Sequence, residues 1–138
     1  MDVGLLILFV VALMLGGVVL FFITRRGQGA SLNVEKYRSQ WLRIEQSLVR
    51  DNEASRHLAI LNADKLLDQA LKQSKYKGAT MGERMKSAKN TWSNADHVWT
   101  AHKLRNRIAH ESDVKISHEI TVRALAAFKQ ALKDVRAI

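Results

Sequence analysis

The chain of 138 residues contains neither cysteine nor proline. Without cysteine there is no disulfide and no thiolate metal site, a usage that suits a reducing compartment. Without proline no ring-imposed break interrupts a helical segment. Acidic residues are scarce relative to basic ones, 13 Asp and Glu against 22 Lys and Arg, giving a formal net charge of +9. That balance points to an anionic partner: RNA, DNA or acidic lipid. No alternating strand pattern, internal repeat or long low-complexity tract occurs. P-loop, dinucleotide and nucleophile-elbow signatures are also missing, so no cofactor is expected. His97, His102, His110 and His118 lie close in sequence, but His97 and His102 are five apart rather than on one face. With no H-E-x-x-H motif, no metal site is expected.

Charge is absent from one long run. Val3 to Thr24, "VGLLILFVVALMLGGVVLFFIT", holds no ionisable side chain, and Asp2 is the sole charge before Arg25. At 1.5 Å rise per residue the run reaches roughly 33 Å, enough to cross a hydrocarbon core. A cleaved secretory signal would have a basic start, a shorter apolar core and a small-residue cleavage site. Here the start is Met-Asp and "RRGQGAS" offers no convincing site, so residues 1–24 read as a retained transmembrane anchor. Arg25 and Arg26 follow it. By the positive-inside rule the N-terminus lies outside and the C-terminal part in the cytoplasm. Arg25, Arg26, Lys36 and Arg38 are also placed to attract anionic lipid. Ala12 and Gly16 form a small-xxx-small pair that would let two spans pack closely.

Residues 25–32 read as a basic, glycine-containing linker. The remainder, residues 33–138, reads as a small all-α bundle of four to five helices. Val34, Tyr37, Trp41, Ile44 and Leu48 recur at three- and four-residue spacing over about Asn33 to Arg50. A second helix runs to about Ser74, with Ala59, Ala63, Leu66, Leu67, Ala70 and Leu71 as a wide apolar arc. Thr80 and Glu83 form a capping box that opens a short helix to about Asn90. Asn94 and Ser117 are caps for the last two helices. The last carries a stripe of Ile120, Ala124, Ala127, Phe128, Ala131, Leu132 and Val135. The short "ESDVKIS" link predicts that these two pack as an antiparallel hairpin. Trp41, Phe128 and the leucines supply a core.

The segment "WTAHKLRNRIAHES", Trp99 to Ser112, departs from this pattern. On a wheel of about 100° per residue, Val98, Ala101, Leu104, Ile108 and Ala109 share one arc, and Arg105 sits inside it. Trp99, His102, Asn106 and His110 line the flank; Lys103 and Arg107 point away. A buried unpaired guanidinium is very costly, so Arg105 needs a carboxylate, carbonyls or a phosphate. Asp64 and Glu111 are candidate partners in a purely structural reading, with His110 capping carbonyls at a helix end. Arg105 and His110 stand about 140° apart on a regular helix. To share a site they need a helix that loosens before His110, or a second subunit.

"LRNRIAHE" resembles the signature of the HEPN superfamily: an arginine, a polar residue, a few variable residues and a histidine, here Arg105, Asn106, the run Arg107-Ile108-Ala109, and His110. The resemblance spans about Asn33 to Ile138; the membrane anchor is not a general family feature. It implies a small helical bundle, often dimeric. In ribonuclease members, arginines and histidines of two subunits form one metal-independent cleavage site. The implied function is a membrane-anchored cytoplasmic endoribonuclease of toxin or defence type, with Arg105, Asn106 and His110 catalytic at a homodimer interface. A histidine can move the 2′-OH or leaving-group proton, and an arginine can hold the scissile phosphate. Trp99, His102 and Arg107 are candidate contacts to the RNA; core packing for Trp99 and a satisfied flank position for His102 are their structural alternatives. Many HEPN-like domains are non-catalytic, and the alternative function is an interaction module at the membrane that binds a protein, RNA or anionic lipid.

Overall fold

The computed structural model describes residues 2–26 and 31–138, with the side chains of 22–26 left aside. Among the described residues the protein is all-helical, with six helices and no strand: α1 (Val3–Arg26), α2 (Val34–Ser47), α3 (Glu53–Gln73), α4 (Met81–Ser87), α5 (Ala95–His110) and α6 (His118–Asp134). The chain divides into two units, Met1–Ser31 and Leu32–Ile138. The first is α1, whose residues Val3–Phe21 are long and apolar enough to cross a membrane and bury nothing within the protein. The side chains of Arg25 and Arg26, and the linker positions 27–30, lie outside the described residues.

The second unit is a bundle around α3, which packs against α2, α4, α5 and α6. Its buried residues, Ala59, Ile60, Ala63, Asp64, Leu66, Leu67, Ala70 and Leu71, cover more than one stripe because it meets neighbours on several sides. Alanines alternate there with leucines, which lets adjacent helices approach closely. Tyr37, Trp41 and Ile44 of α2, Met85 of α4, Val98 of α5, and Phe128 and Leu132 of α6 complete the core.

Antiparallel pairs are fixed at both ends of the chain order. Tyr37 at the start of α2 donates to Gln73 Oε1 at the end of α3 (2.6 Å). Asp134, closing α6, accepts from the backbone and hydroxyl of Ser93, just before α5, both at 2.9 Å. The hairpin of α5 and α6 is thus antiparallel, as the short link between them predicts. Glu45 of α2 accepts from Trp41 Nε1 (2.7 Å) and pairs with Lys129 of α6 (3.0 Å), which ties the outer helices together.

Local signals account for most helix ends. Asn33, Asn52 and Ser117 each accept the free backbone N–H three residues on, and so cap α2, α3 and α6. Thr80 accepts from the Glu83 N–H (3.2 Å), while Glu83 reaches back one residue further, to the Ala79 N–H (2.6 Å). Asn94 precedes α5 but makes no cap bond; its amide turns to His97 Nδ1 instead (3.0 Å). Helix α2 ends at Ser47 rather than near Arg50, because Ser55 Oγ ties the chain at Val49 to the start of α3. Ile120 departs from its stripe and is 44% exposed.

After α3 the chain turns with Lys75 at φ 62° and the Tyr76 N–H bonded to the Leu71 carbonyl, a Schellman closure. Gly78 follows at φ 155°, and a Cβ there would meet Arg84 N at 2.6 Å. That turn delivers the Gly78 carbonyl to Arg84 Nη1 (2.8 Å), while Arg84 Nε and Nη2 fork onto the two oxygens of Asp68 at 2.7 and 3.1 Å. Arg84, bonded through all three guanidinium nitrogens, locks α4 to α3.

Burial pushes the Asp68 carboxyl up, and hydrogen bonds from Arg84 and Lys72 more than offset it, leaving the group below the ordinary aspartate value. A folded pKa below the unfolded one means that this stabilisation is complete above about pH 4 and drains as pH falls through the folded value. Thermal melts from about pH 5 down to about pH 2 are expected to fall more steeply for wild type than for Asp68→Asn, whose starting stability is lower.

Candidate functional site

The site grows from one buried acid. Asp64 sits mid-way along α3, with apolar Ile60, Ala63 and Leu67 on the same side, and its side chain is 4% exposed. A carboxylate there must be compensated, because an unpaired buried charge costs several kcal/mol (on the order of 3–5 when one partner is removed). Helix α5 supplies the compensation from two positions three residues apart. His102 Nδ1 lies 2.8 Å from Asp64 Oδ1, and Arg105 Nε lies 3.2 Å from Oδ2. Asn106 closes the group. Its Oδ1 accepts from Arg105 Nη1 (2.9 Å), and its Nδ2 faces His102 Nε2 (3.4 Å).

The two Arg–Asp pairs of this fold differ in kind. Arg84 uses all three guanidinium nitrogens in hydrogen bonds and its side chain is 9% exposed. The Arg105 side chain is 35% exposed, and its Nε–H lies within ion-pair distance of Asp64 but has no acceptor in line. One Nη is held by Asn106; the other has no hydrogen-bond partner among the described residues. Arg105 is anchored by charge to Asp64 and keeps unused donor capacity on a partly exposed side chain.

Of the residues expected at the site, the structure brings together His102, Arg105 and Asn106. Their partner is Asp64, one of the two acids considered for Arg105. The other, Glu111, pairs instead with Arg107 on the exposed side of α5 (3.5 Å). His102 is a correction to the helical wheel: it is buried, not a flank residue, because α5 turns that side toward α3. Arg105 is correspondingly less enclosed than its place in the apolar arc implies. Trp99 packs partly against the core, its ring meeting the His102 ring edge-on at 6.1 Å between centroids. Ala109 is exposed.

His110 stays apart. Helix α5 remains regular through His110, so the chain does not loosen before it. Arg105 and His110 are separated by about 7.5 Å along the axis and about 140° around it. His110 is exposed at the C-terminal end of the helix. Within one chain the arginine and the histidine do not converge. The structural condition for a joint site is therefore a second copy.

The acid that organises the site carried one sequence signal: it is one of two aspartates, Asp64 and Asp68, embedded in the apolar stretch Ala59–Leu71. Its link to His102 carried none, since 38 residues separate the two. Among the described residues no group of three metal-ligating side chains comes together. Comparison with protein-family models, curated proteins and solved structures gives no match. The class defined by the fold is an all-α bundle preceded by one helix of membrane-spanning length.

The contrast between the two arginines is measurable. Arg84→Ala breaks an enclosed, bidentate pair and is expected to cost about 3 kcal/mol, the low end for buried pairs. Arg105→Ala leaves Asp64 its His102 partner and is expected to cost about 1–2 kcal/mol, between surface and buried pairs. Urea unfolding of both variants at neutral pH checks the order.

Proposed function

We propose that this protein is a membrane-anchored HEPN-like ribonuclease, in which Arg105, Asn106 and His110 cleave RNA without a metal ion at a site shared by two copies. The observation that carries the reading is the state of Arg105. It is fixed by Asp64 and Asn106, yet its side chain is 35% exposed and one Nη has no hydrogen-bond partner among the described residues. A guanidinium of that kind suits a phosphodiester better than a purely structural arginine such as Arg84 does.

The chemistry follows from residue types. One His110 takes the ribose 2′-OH proton as that oxygen attacks phosphorus, and His110 of the second copy gives a proton to the departing 5′ oxygen. The products are a 2′,3′-cyclic phosphate and a 5′-hydroxyl. Arg105 offsets the charge that builds on the non-bridging oxygens, and Asn106 orients the guanidinium. Two copies supply both acid and base, which a single chain with divergent Arg105 and His110 does not. The net positive charge, +9, supports attraction of the polyanion. Trp99 has one face committed to the protein and Arg107 is paired with Glu111, so both are peripheral contacts in this reading.

A scaffold reading has its own support. The ion pair of Arg105 with Asp64 stabilises the fold whether or not anything is cleaved. A non-catalytic module at the membrane would use the same residues to present a surface to a protein, RNA or anionic lipid. The decisive experiment incubates the full chain in detergent micelles with single-stranded RNA and a chelator at about pH 6–8, spanning the histidine range. Wild type is expected to generate cyclic-phosphate ends, with His110→Ala and Arg105→Ala both folded and at least about 100-fold slower. Intact RNA with all three proteins removes the enzymatic reading and leaves the scaffold.

The length and apolarity of α1 support a single span, and the basic residues after it favour a cytoplasmic bundle by the positive-inside rule. Protease added to sealed inside-out vesicles is expected to digest the bundle, and protease added to right-side-out vesicles to spare it. The reverse pattern would invert the topology.

A further inference from the structure

Asp64 and three side chains around it are joined in a circuit by three hydrogen bonds, which run one way, and one ion pair. Asp64 as a carboxylate only accepts, so His102 Nδ1 must carry the proton of their 2.8 Å contact. Arg105 only donates, so the oxygen of Asn106 must be the atom facing it at 2.9 Å. That orientation turns the Asn106 Nδ2–H toward His102 Nε2 at 3.4 Å, the longest link, and requires Nε2 to accept. The circuit therefore specifies Nδ1 of His102 as its donor and Nε2 as its acceptor. Donation passes from Arg105 to Asn106 to His102 to Asp64, and the ion pair of Asp64 with Arg105 closes the circuit. Such chains strengthen one another in a water-poor site.

We infer that Asp64 and His102 are positioning residues for Arg105. Asp64 sets the His102 tautomer, His102 sets the orientation of the Asn106 amide, and Asn106 holds one edge of the guanidinium so that the other faces a phosphodiester. What Arg105 binds rests on the ribonuclease reading; how Arg105 is held rests on the circuit alone. His102 is 7% exposed, and Asn106 bonds both it and Arg105, so it acts through Asn106 and not on RNA. Of the two readings open to His102 in the sequence, this is the hydrogen-bonded structural one rather than the direct RNA contact.

Two substitutions of His102 separate positioning from packing. In His102→Asn the amide nitrogen lies where Nδ1 was and still donates to Asp64, but nothing accepts from Asn106. In His102→Gln the amide oxygen reaches the Nε2 position and accepts from Asn106, while Asp64 loses its donor. Stability and activity should then rank the variants in opposite orders. The full chain in detergent micelles, labelled with ¹⁵N in arginine and histidine, provides the readouts. Wild-type His102 is expected to be protonated on Nδ1 and bare on Nε2. The Arg105 guanidinium signals are expected to be resolved, showing hindered rotation, in wild type and His102→Gln, and averaged in His102→Asn.

On RNA, His102→Asn should lose about tenfold or more in kcat with KM within about threefold, although it melts above His102→Gln; His102→Gln recovers most of that kcat. Identical Arg105 signals in the two variants, or a His102 proton on Nε2, overturns the proposal. So does activity that simply follows melting temperature. If wild type does not cleave RNA, the ribonuclease reading fails by itself, and the arginine and histidine spectra still decide the circuit.

Discussion

A carboxylate in the middle of the central helix is the constraint from which the rest of the bundle is best understood. Helix α3 touches four neighbours, so nearly every side chain at its middle meets protein rather than water. Asp64 cannot remain charged there alone, and the partners it needs must come from another helix in a fixed register. His102 and Arg105 of α5 meet that need from one side of one turn. The rotation and height of α5 against α3 are thereby set more tightly than apolar packing of Val98 and Ala101 would set them. Everything proposed for the site depends on that register, because it decides which side of α5 is inside.

The bundle uses a second acid of α3, Asp68, in a different way. Its arginine comes from α4 and is also held by the Gly78 carbonyl, so charge and geometry are satisfied together. That pair is a clamp. The Asp64 group divides its one carboxylate between a histidine and an arginine, and leaves the arginine with donors to spare. A fold that needed only to join α5 to α3 could have repeated the first arrangement. An incompletely satisfied, partly exposed guanidinium beside an orienting amide is the kind of local compromise found where a protein binds something.

Much of the helical layout was legible in the sequence because its causes are local. Caps at Asn33, Thr80 and Ser117, the apolar spacing from Tyr37 to Ile44, and the regular stripe ending in Phe128 and Leu132 depend on residues within one or two turns. Errors arose where a neighbour intervened. Ser55 holds Val49 and shortens α2, Asn94 prefers His97 to a free N–H, and Ile120 is left largely exposed. The site was legible only in part. That Arg105 required a partner followed from its place on the wheel, and that it diverges from His110 followed from helix geometry. The burial of His102 did not follow, since a wheel gives angles but not the direction of the neighbouring helix.

By itself, the sequence determined the apolar helix of membrane-spanning length, the all-helical character of the remainder, and the separation of Arg105 from His110 around α5. Each is a matter of composition or of a fixed angle per residue. Only the tertiary structure decided that Asp64, rather than Glu111, takes Arg105, and that the same carboxylate takes His102. Those pairings join residues about forty positions apart, and which acid is close enough depends on how α5 lies across α3. No local rule contains that information, because a buried charge selects its partner by distance and desolvation, which exist only once the helices have packed.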